Sequence, residues 1–213
     1  MTHPAADMND QRAIYRLWSR VYDPVYIGFF SRAQKTSARL AKEAGSKILE
    51  VGFGTGLMLR YFDKSSTIYG VDLSNAMLKV AARKIADDQK NDVAGLCVMD
   101  ATRLAFPDES FDVVLFPFVI AIVHDPEAAL DEAFRVLKPG GRIVIANRFG
   151  AENGLQAKIE RFFAPLAARI GWSVDFKISR VARWVAQKGG IVLDPLRFNG
   201  YFKVIMLQKA LDA

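Results

Sequence analysis

The sequence predicts an α/β fold, in which helices cover both faces of a mostly parallel sheet that ends in an antiparallel hairpin. Three observations lead to this prediction. Strand-like apolar segments alternate with helical segments between Lys47 and Phe149. These strands are apolar on both faces, which is typical of parallel sheets covered by helices. Finally, Asn199-Gly200 lies between the last two strand-like segments and signals a hairpin.

The alternation assigns each element in order along the chain. Residues 1–10 are predicted to be a tail, and 11–42 are helical in pattern with a break expected at Pro24. Ser74 is expected to cap the helix that follows it, and Pro126 to lie in the first turn of another. The predicted strands are 47–52, 67–73, 93–100, 111–118, 142–149, 191–198 and 201–207. The predicted helices are 55–62, 74–88, 125–137 and two within 151–188.

The length of 213 residues fits one domain with a modest elaboration. We expect residues 1–42 to form a helical lid toward a membrane or substrate and 43–213 to form the main domain, with a helical insertion at 151–188. One cysteine and two distant histidines do not suit a metal centre, so no metal is expected. With no signal sequence and no apolar run long enough to cross a bilayer, we expect a cytoplasmic monomer.

Positive charge is concentrated in two segments outside the centre of the chain. Residues 12–42 contain seven basic side chains and one acidic one, and residues 158–188 are also basic. The first of these segments also contains aromatic residues, namely Tyr15, Trp18, Tyr22, Tyr26, Phe29 and Phe30. This mixture suits an interfacial helix on an anionic membrane, with Trp18 and Phe30 toward lipid. The alternative, that the aromatics are core residues, stays open, and no nucleic-acid motif is present.

A glycine-rich turn follows the first predicted strand. Gly52, Gly54 and Gly56 occupy alternate positions, and Asp72 and Asp100 end the next two strands. In open α/β sheets, ligands bind at these strand ends, and a carboxylate there can bind ribose hydroxyls. The pattern therefore predicts a cofactor that contains adenosine. The third glycine lies one position too early for the dinucleotide motif, which leaves a nicotinamide enzyme as a remote alternative.

Five segments together resemble the successive motifs of class I S-adenosylmethionine-dependent methyltransferases. They are Glu50-Val-Gly-Phe-Gly-Thr-Gly56, Gly70-Val-Asp-Leu73, Met99-Asp-Ala101, Phe106-Pro-Asp-Glu-Ser-Phe-Asp112 and Arg135-Val-Leu-Lys-Pro-Gly-Gly-Arg142. The resemblance implies a Rossmann-like seven-stranded sheet and S-adenosylmethionine as cofactor. It also implies that Gly52, Gly54 and Gly56 approach the methionine moiety, with Glu50 supporting the turn or the amino group. Asp72 would hold the ribose, Leu73, Asp100 and Ala101 would frame the adenine, and Phe118 would line the cofactor.

The flanking segments resemble bacterial phospholipid N-methyltransferases that convert phosphatidylethanolamine to phosphatidylcholine. These segments are Leu17–Tyr26, Val119–Pro126 and Ala146–Gly150. One departure is Arg148, where a histidine is expected; an arginine can contact phosphate but cannot act as a base at neutral pH. The candidates for binding the lipid phosphate are Arg148, Lys177 and Arg180.

Methyl transfer to an amine requires the amine to lose a proton. If its pKa resembles that of lysine, deprotonation at pH 7 costs about 4–5 kcal/mol. His124 is the candidate to accept the proton, although it could instead cap the helix beside it. Tyr22 is the alternative, through its hydroxyl or ring face. Tyr15 or Tyr22 is also expected to face the cofactor.

Other functions remain open at this point. A C- or O-methyltransferase acting on a membrane quinone precursor would share the same core and an apolar acceptor. A cofactor-binding module without catalysis would share only the glycine turn and the acids. Transfer of a labelled methyl group to lipid or to quinone separates these possibilities.

Overall fold

The computed structural model describes residues 22–87, 92–150, 154, 176–195 and 202–211. Its strands are β1 (Lys47–Val51), β2 (Thr67–Asp72), β3 (Asp92–Val98), β4 (Phe111–Pro117), β5 (Leu137–Asn147), β6 (Ile191–Pro195) and β7 (Lys203–Gln208). Its α-helices are α1 (Tyr22–Ala44), α2 (Asn75–Asp87), α3 (Pro126–Val136) and α4 (Ile178–Gln187). Short 3-10 helices span Leu57–Tyr61 and Ile120–Ile122.

The seven strands form one sheet in the order β3-β2-β1-β4-β5-β7-β6. Strands β1 to β5 pair in parallel, and β7 is antiparallel to both of its neighbours. The predicted fold class is therefore confirmed. After β1 the chain first builds one side of the sheet and then returns to build the other from β4. A cleft thus opens beyond the carboxyl ends of β1 and β4, where open α/β sheets bind ligands.

Helices cover both faces of the sheet because the central strands are apolar on both sides. On one face, α1, the first 3-10 helix and α2 share a buried cluster with alternate strand residues such as Ile48, Val113 and Val144. On the other face, α3 and α4 pack against the intervening residues, including Leu49, Val114 and Ile145. Glu50 is the buried charged residue that interrupts the apolar sequence of β1.

The expected break at Pro24 is wrong. Helix α1 begins at Tyr22 and continues through Pro24, which lies in its first turn. Proline is tolerated there because the first amides of a helix have no partner within it. Residues 1–21 lie outside the described part of the chain, so the predicted tail and the start of the lid segment stay predictions.

Two other boundaries differ from the prediction. The segment predicted as helix 55–62 is a five-residue 3-10 helix, Leu57–Tyr61, whose cap Gly56 has φ +75°. Strand β5 begins at Leu137, five residues before the predicted start of the strand at 142, and includes Pro139-Gly140-Gly141. The pairing of β5 with β4 is irregular at that end of the strand. Residues 155–175 and the predicted Asn199-Gly200 turn lie outside the described residues.

Arg135 of α3 holds the loop that follows β3. Its guanidinium donates to the carbonyl oxygens of Leu104 (2.8 Å) and Phe106 (2.9 Å) and to the carboxylates of Glu132 and Asp108. Since Glu132 also accepts from the Leu104 amide at 2.7 Å, α3 anchors this loop at several points. The loop that closes the adenine side of the predicted site therefore has a defined shape.

Candidate active site

The glycine turn forms an open cradle at the end of β1. The Gly52 amide donates to the Val71 carbonyl oxygen at 2.8 Å, which ties the turn to β2. Both Gly52 and Gly54 have positive φ, +76° and +56°. A Cβ built on Gly52 would lie 2.6 Å from Val119, whereas one built on Gly54 would meet nothing nearer than a carbonyl oxygen 4.0 Å away. The backbone at Gly54 thus faces free space, as close approach of a ligand requires.

Asp72 joins the end of β2 to this cradle. Its Oδ2 accepts a hydrogen bond from the Gly54 amide at 2.8 Å, and its Oδ1 accepts one from the Ser74 amide at 2.7 Å. Burial raises the pKa of Asp72 above its ordinary 3.8, although the two amide bonds act in the opposite direction. Each carboxylate oxygen keeps a second lone pair, so the acid can still accept a hydroxyl donor. Its role toward ribose stays a prediction.

Glu50 lies beneath the cradle and is 1% exposed. Burial, and next the charge of Asp72, raise the pKa of Glu50 well above its ordinary 4.5. Within the described part of the chain, its buried Oε2 has no hydrogen-bond partner. A buried carboxyl oxygen without a donor is destabilising on its own. It therefore fits a ligand that brings a donor or a positive charge, such as the ammonium of S-adenosylmethionine.

The predicted adenine contacts lie at the carboxyl edge of β2 and β3. Leu73 directly follows β2 and is 52% exposed. Asp100 lies just beyond β3, and its Oδ1 accepts from the Thr102 amide (2.9 Å) and hydroxyl (2.8 Å). Ala101 beside it is buried. The structure thus places all three near the same edge as the glycine turn, and their contacts with adenine stay predictions.

Phe118 follows β4 with an unusual backbone. Its φ of +63° lies in the left-handed region, which costs a non-glycine residue about 1–3 kcal/mol. Its amide donates to the Ala146 carbonyl oxygen at 2.7 Å, and its ring centroid lies 4.5 Å from that of Phe30 and 5.2 Å from that of Phe202. Such outliers persist where the surroundings hold them and are common at functional sites.

The same aromatic cluster corrects one expectation. Phe30 is 5% exposed, and its ring packs against Phe202 at 4.4 Å as well as against Phe118. It is therefore a core residue that joins α1 to the sheet, and the prediction that it faces lipid is wrong. Trp18 and Tyr15 lie outside the described residues, and Tyr22 begins α1 with a side chain that is not described.

His124 is exposed and lies between the second 3-10 helix and α3. The capping alternative for this residue is wrong, because Asp125 caps α3. The Asp125 Oδ1 accepts a hydrogen bond from the Ala128 amide at 3.0 Å, and Pro126 follows as predicted. Ser74 likewise caps α2, accepting at its Oγ from the Met77 amide at 3.3 Å. A catalytic role for His124 stays a prediction.

The three phosphate candidates are distributed over two elements. Arg148 directly follows β5, at the same edge of the sheet as Phe118. Lys177 occupies the cap position of α4. Arg180, in the first turn of α4, forms a bidentate ion pair with Glu127 and lies 5.8 Å from the Phe176 ring. Its phosphate role would require it to exchange this carboxylate for phosphate.

The sequence analysis did not identify two buried polar residues, one at the end of β5 and one on α1. Asn147, the last residue of β5, is 5% exposed, and its Nδ2 has no hydrogen-bond partner among the described residues. Gln34 of α1 is 3% exposed, and its Oε1 also has no hydrogen-bond partner among the described residues. A polar residue ending an apolar strand could have signalled Asn147. Gln34 gave no such signal, since it lies among other polar residues in the sequence.

The described residues contain neither a group of three or more metal-ligating side chains nor a helix long and apolar enough to cross a bilayer.

Comparisons with known proteins agree with this geometry. A family model described as a methyltransferase domain matches residues 49–145. A phosphatidylethanolamine N-methyltransferase from Cereibacter sphaeroides is 35% identical over 167 residues, which is 78% of this chain and 82% of the relative. A demethylmenaquinone methyltransferase from Clavibacter sepedonicus is 40% identical over 111 residues, which is 52% of this chain and 44% of the relative.

Solved structures show the same fold. A SAM-dependent methyltransferase from Aquifex aeolicus has a TM-score of 0.67 at 18% identity, and the match covers 91% of this chain and 97% of that chain. The relative from Cereibacter sphaeroides, 35% identical and matched over 82% of its length, shows the family. The chain therefore belongs to the class I S-adenosylmethionine-dependent methyltransferases, and its cofactor is S-adenosylmethionine.

Proposed function

We propose that this enzyme transfers methyl groups from S-adenosylmethionine to the amine of phosphatidylethanolamine, and to its mono- and dimethyl forms, at a membrane surface. The observation that carries this proposal is the 35% identity to the Cereibacter sphaeroides enzyme, which extends over 167 residues. The family model matches only residues 49–145, so that similarity includes segments outside the common cofactor core. These outer segments determine the acceptor in the proposal.

Methyl transfer requires the protein to align the amine with the methyl group and to provide a proton acceptor. The cofactor supplies an electrophilic methyl group on a sulfonium. The chain must hold the amine in line with that methyl, and alignment alone can provide much of the acceleration. His124 and Tyr22 are the proposed residues that receive the proton or steady the positive charges. Arg148, Lys177 and Arg180 are proposed to bind the lipid phosphate.

An apolar rim beside the cleft supports an apolar acceptor. Leu73 after β2, Val98 at the end of β3 and Ile122 after β4 are 52%, 54% and 41% exposed. All three lie at or after the carboxyl ends of their strands, and β2 separates β3 from β1. Exposed apolar side chains grouped near a cleft mark binding surfaces more often than scattered ones do. An acyl chain or a prenyl chain could pack against them.

The outer side of α1 supports docking to an anionic membrane. Its exposed residues include a basic series at helical spacing, Arg32, Lys35, Arg39 and Lys42. Arg39 pairs with Glu43 at 2.7 Å and Lys42 with Asp63 at 3.3 Å. Each basic side chain near an anionic surface contributes about 1 kcal/mol. We therefore propose that the protein is cytoplasmic and associates peripherally with the inner membrane face.

The experiment is an acceptor competition with a labelled methyl group. The protein is incubated with methyl-labelled S-adenosylmethionine and mixed vesicles that contain phosphatidylethanolamine and a demethylmenaquinone. We expect label in mono-, di- and trimethylated lipid by mass spectrometry. Label in the quinone alone would reject the proposal and favour the second candidate, a quinone C-methyltransferase, which the 40% identity to the Clavibacter sepedonicus enzyme supports. Cofactor binding without transfer to either acceptor would indicate a non-catalytic binding module.

A further inference from the structure

Gln34 is a buried amide whose carbonyl oxygen is the starting point of this inference. It lies on α1 and is 3% exposed, and its Oε1 has no hydrogen-bond partner in the part of the chain that the structure describes. Ser37, nearly one turn later on the same side of the helix, is equally buried but donates to the Ala33 carbonyl oxygen at 2.8 Å. A buried polar group without a partner destabilises a protein, so its presence calls for an explanation such as a ligand.

Gln34 and Glu50 project into the same layer of the protein. The buried positions 30, 33, 34, 37, 38 and 41 define the side of α1 that packs on the sheet. Glu50 lies two residues after Ile48 in β1, so the two side chains are on the same face of the sheet. Ile48 belongs to the buried cluster that contains Ala33, Ala38 and Ala41. Helix α1 packs on β4 and β5, and β4 is the strand next to β1. Both side chains therefore point into the layer between the sheet and the helices on that face.

The two residues also lie at similar heights along the sheet. From Ala44, where α1 ends, Gln34 is ten residues or about 15 Å along the helix. From Lys47, where β1 begins, Glu50 is about 10 Å along the strand. The contact between Phe30 and Phe118 gives the same relation. Glu50 pairs with Leu115, three residues before Phe118, and Gln34 follows Phe30 by about one helical turn. Gln34 thus lies slightly beyond Glu50, toward the glycine cradle.

We propose that Gln34 is a cofactor-positioning residue whose amide carbonyl, together with the Glu50 carboxylate, holds the α-ammonium of S-adenosylmethionine. An ammonium group offers three donors and a positive charge. These two side chains offer two buried acceptors that have no partner among the described residues, and one of them is an acid. Hydrogen bonds to a charged group are the stronger class. This assignment makes α1 part of the cofactor site and does not depend on the identity of the methyl acceptor.

The test is Gln34→Met, which removes the carbonyl and keeps the length of the side chain. Titration calorimetry should show affinity for S-adenosylhomocysteine falling about tenfold, the expected effect of losing a bond to a charged group. Affinity for 5′-methylthioadenosine, which lacks the amino acid moiety, should not change. Decarboxylated S-adenosylmethionine keeps the ammonium, so its affinity should fall by the same factor. The melting temperature without ligand should stay the same or rise, because an unsatisfied polar group has been removed.

Two further variants keep the result interpretable. Ser37→Ala removes a satisfied hydroxyl from the same buried side of α1 and should leave the affinity for S-adenosylhomocysteine unchanged. Gln34→Glu keeps an acceptor at the position and should bind S-adenosylhomocysteine within about threefold of the wild type.

The proposal is overturned if Gln34→Met binds S-adenosylhomocysteine with wild-type affinity, or loses 5′-methylthioadenosine to the same extent. If decarboxylated S-adenosylmethionine is unaffected, the amide contacts the carboxylate of the cofactor, and the ammonium assignment is wrong.

Discussion

At the scale of single residues, the carboxylate of Asp72 joins two backbone segments of the site. It accepts backbone hydrogen bonds from Gly54 and Ser74, so it both shapes the glycine cradle and faces it. We predict that Asp72→Ala abolishes measurable S-adenosylmethionine binding in calorimetry, because the ribose loses its acceptor and the Gly54 amide loses its hydrogen bond to Asp72. Near-normal affinity in the variant would contradict the ribose role.

The glycine turn allows stability and binding to be separated by matched substitutions. Gly52→Ala should lower the free energy of unfolding by more than about 2 kcal/mol, since its Cβ would lie 2.6 Å from Val119 at positive φ. Gly54→Ala has the same backbone penalty of about 1–2 kcal/mol but no clash. We expect it to fold and to bind S-adenosylmethionine poorly. Urea unfolding with calorimetry distinguishes the two, and equal losses of stability would contradict the packing difference.

Glu50 should make stability depend on pH in a direction that can be calculated. Its pKa is about 4.5 in the unfolded chain and is raised well above that in the folded protein, first by burial. Between these two pKa values the folded protein binds more protons than the unfolded chain, so its free energy of unfolding falls as pH rises. Glu50→Gln removes this loss. The stability of the variant relative to wild type should therefore increase in urea titrations as the pH rises above the unfolded-state pKa of Glu50. A constant difference would show that Glu50 does not titrate there.

At the scale of elements, Arg135 shows how α3 fixes the loop that follows β3. Its fork donates to two carbonyl oxygens and two carboxylates. Arg135→Lys keeps the charge but cannot reproduce this geometry, and we expect a loss of about 1–3 kcal/mol in urea unfolding. Arg39→Lys is the control, since its exposed pair with Glu43 should contribute less than about 0.5 kcal/mol. Equal effects would mean that the loop does not depend on the fork.

Prediction of elements succeeded where the signal is local. Ser74 and Pro126 were correctly assigned to helix starts because capping chemistry depends only on neighbouring residues. The segment predicted as a helix at 55–62 contains a 3-10 helix, because the type of helix there depends on tertiary packing. Met58 and Leu59 are buried in the layer beneath α1, and no side chain caps the turn at Gly56.

At the scale of the whole molecule, charge is placed on the outer side of α1. We predict that replacing Arg32 and Lys35 with glutamine weakens binding to anionic vesicles about 30-fold, at about 1 kcal/mol for each charge. Vesicle sedimentation measures the effect, which should diminish as salt rises. Lys79→Gln with Arg83→Gln on α2 is a control of equal charge. An equal loss in the control would indicate a general effect of net charge, without docking through α1.

The sequence by itself determined the α/β class, the order of its strands and helices, and the residues that line the carboxyl edge of the sheet. These follow from apolar periodicity, turn chemistry and motif spacing, which are written into neighbouring residues. Only the tertiary structure decided which distant side chains meet. It joined Asp72 to Gly54, gathered Phe30, Phe118 and Phe202, and buried the polar side chains of Gln34 and Glu50. Such contacts depend on strand order and on how α1 packs across the sheet, and no local pattern specifies either.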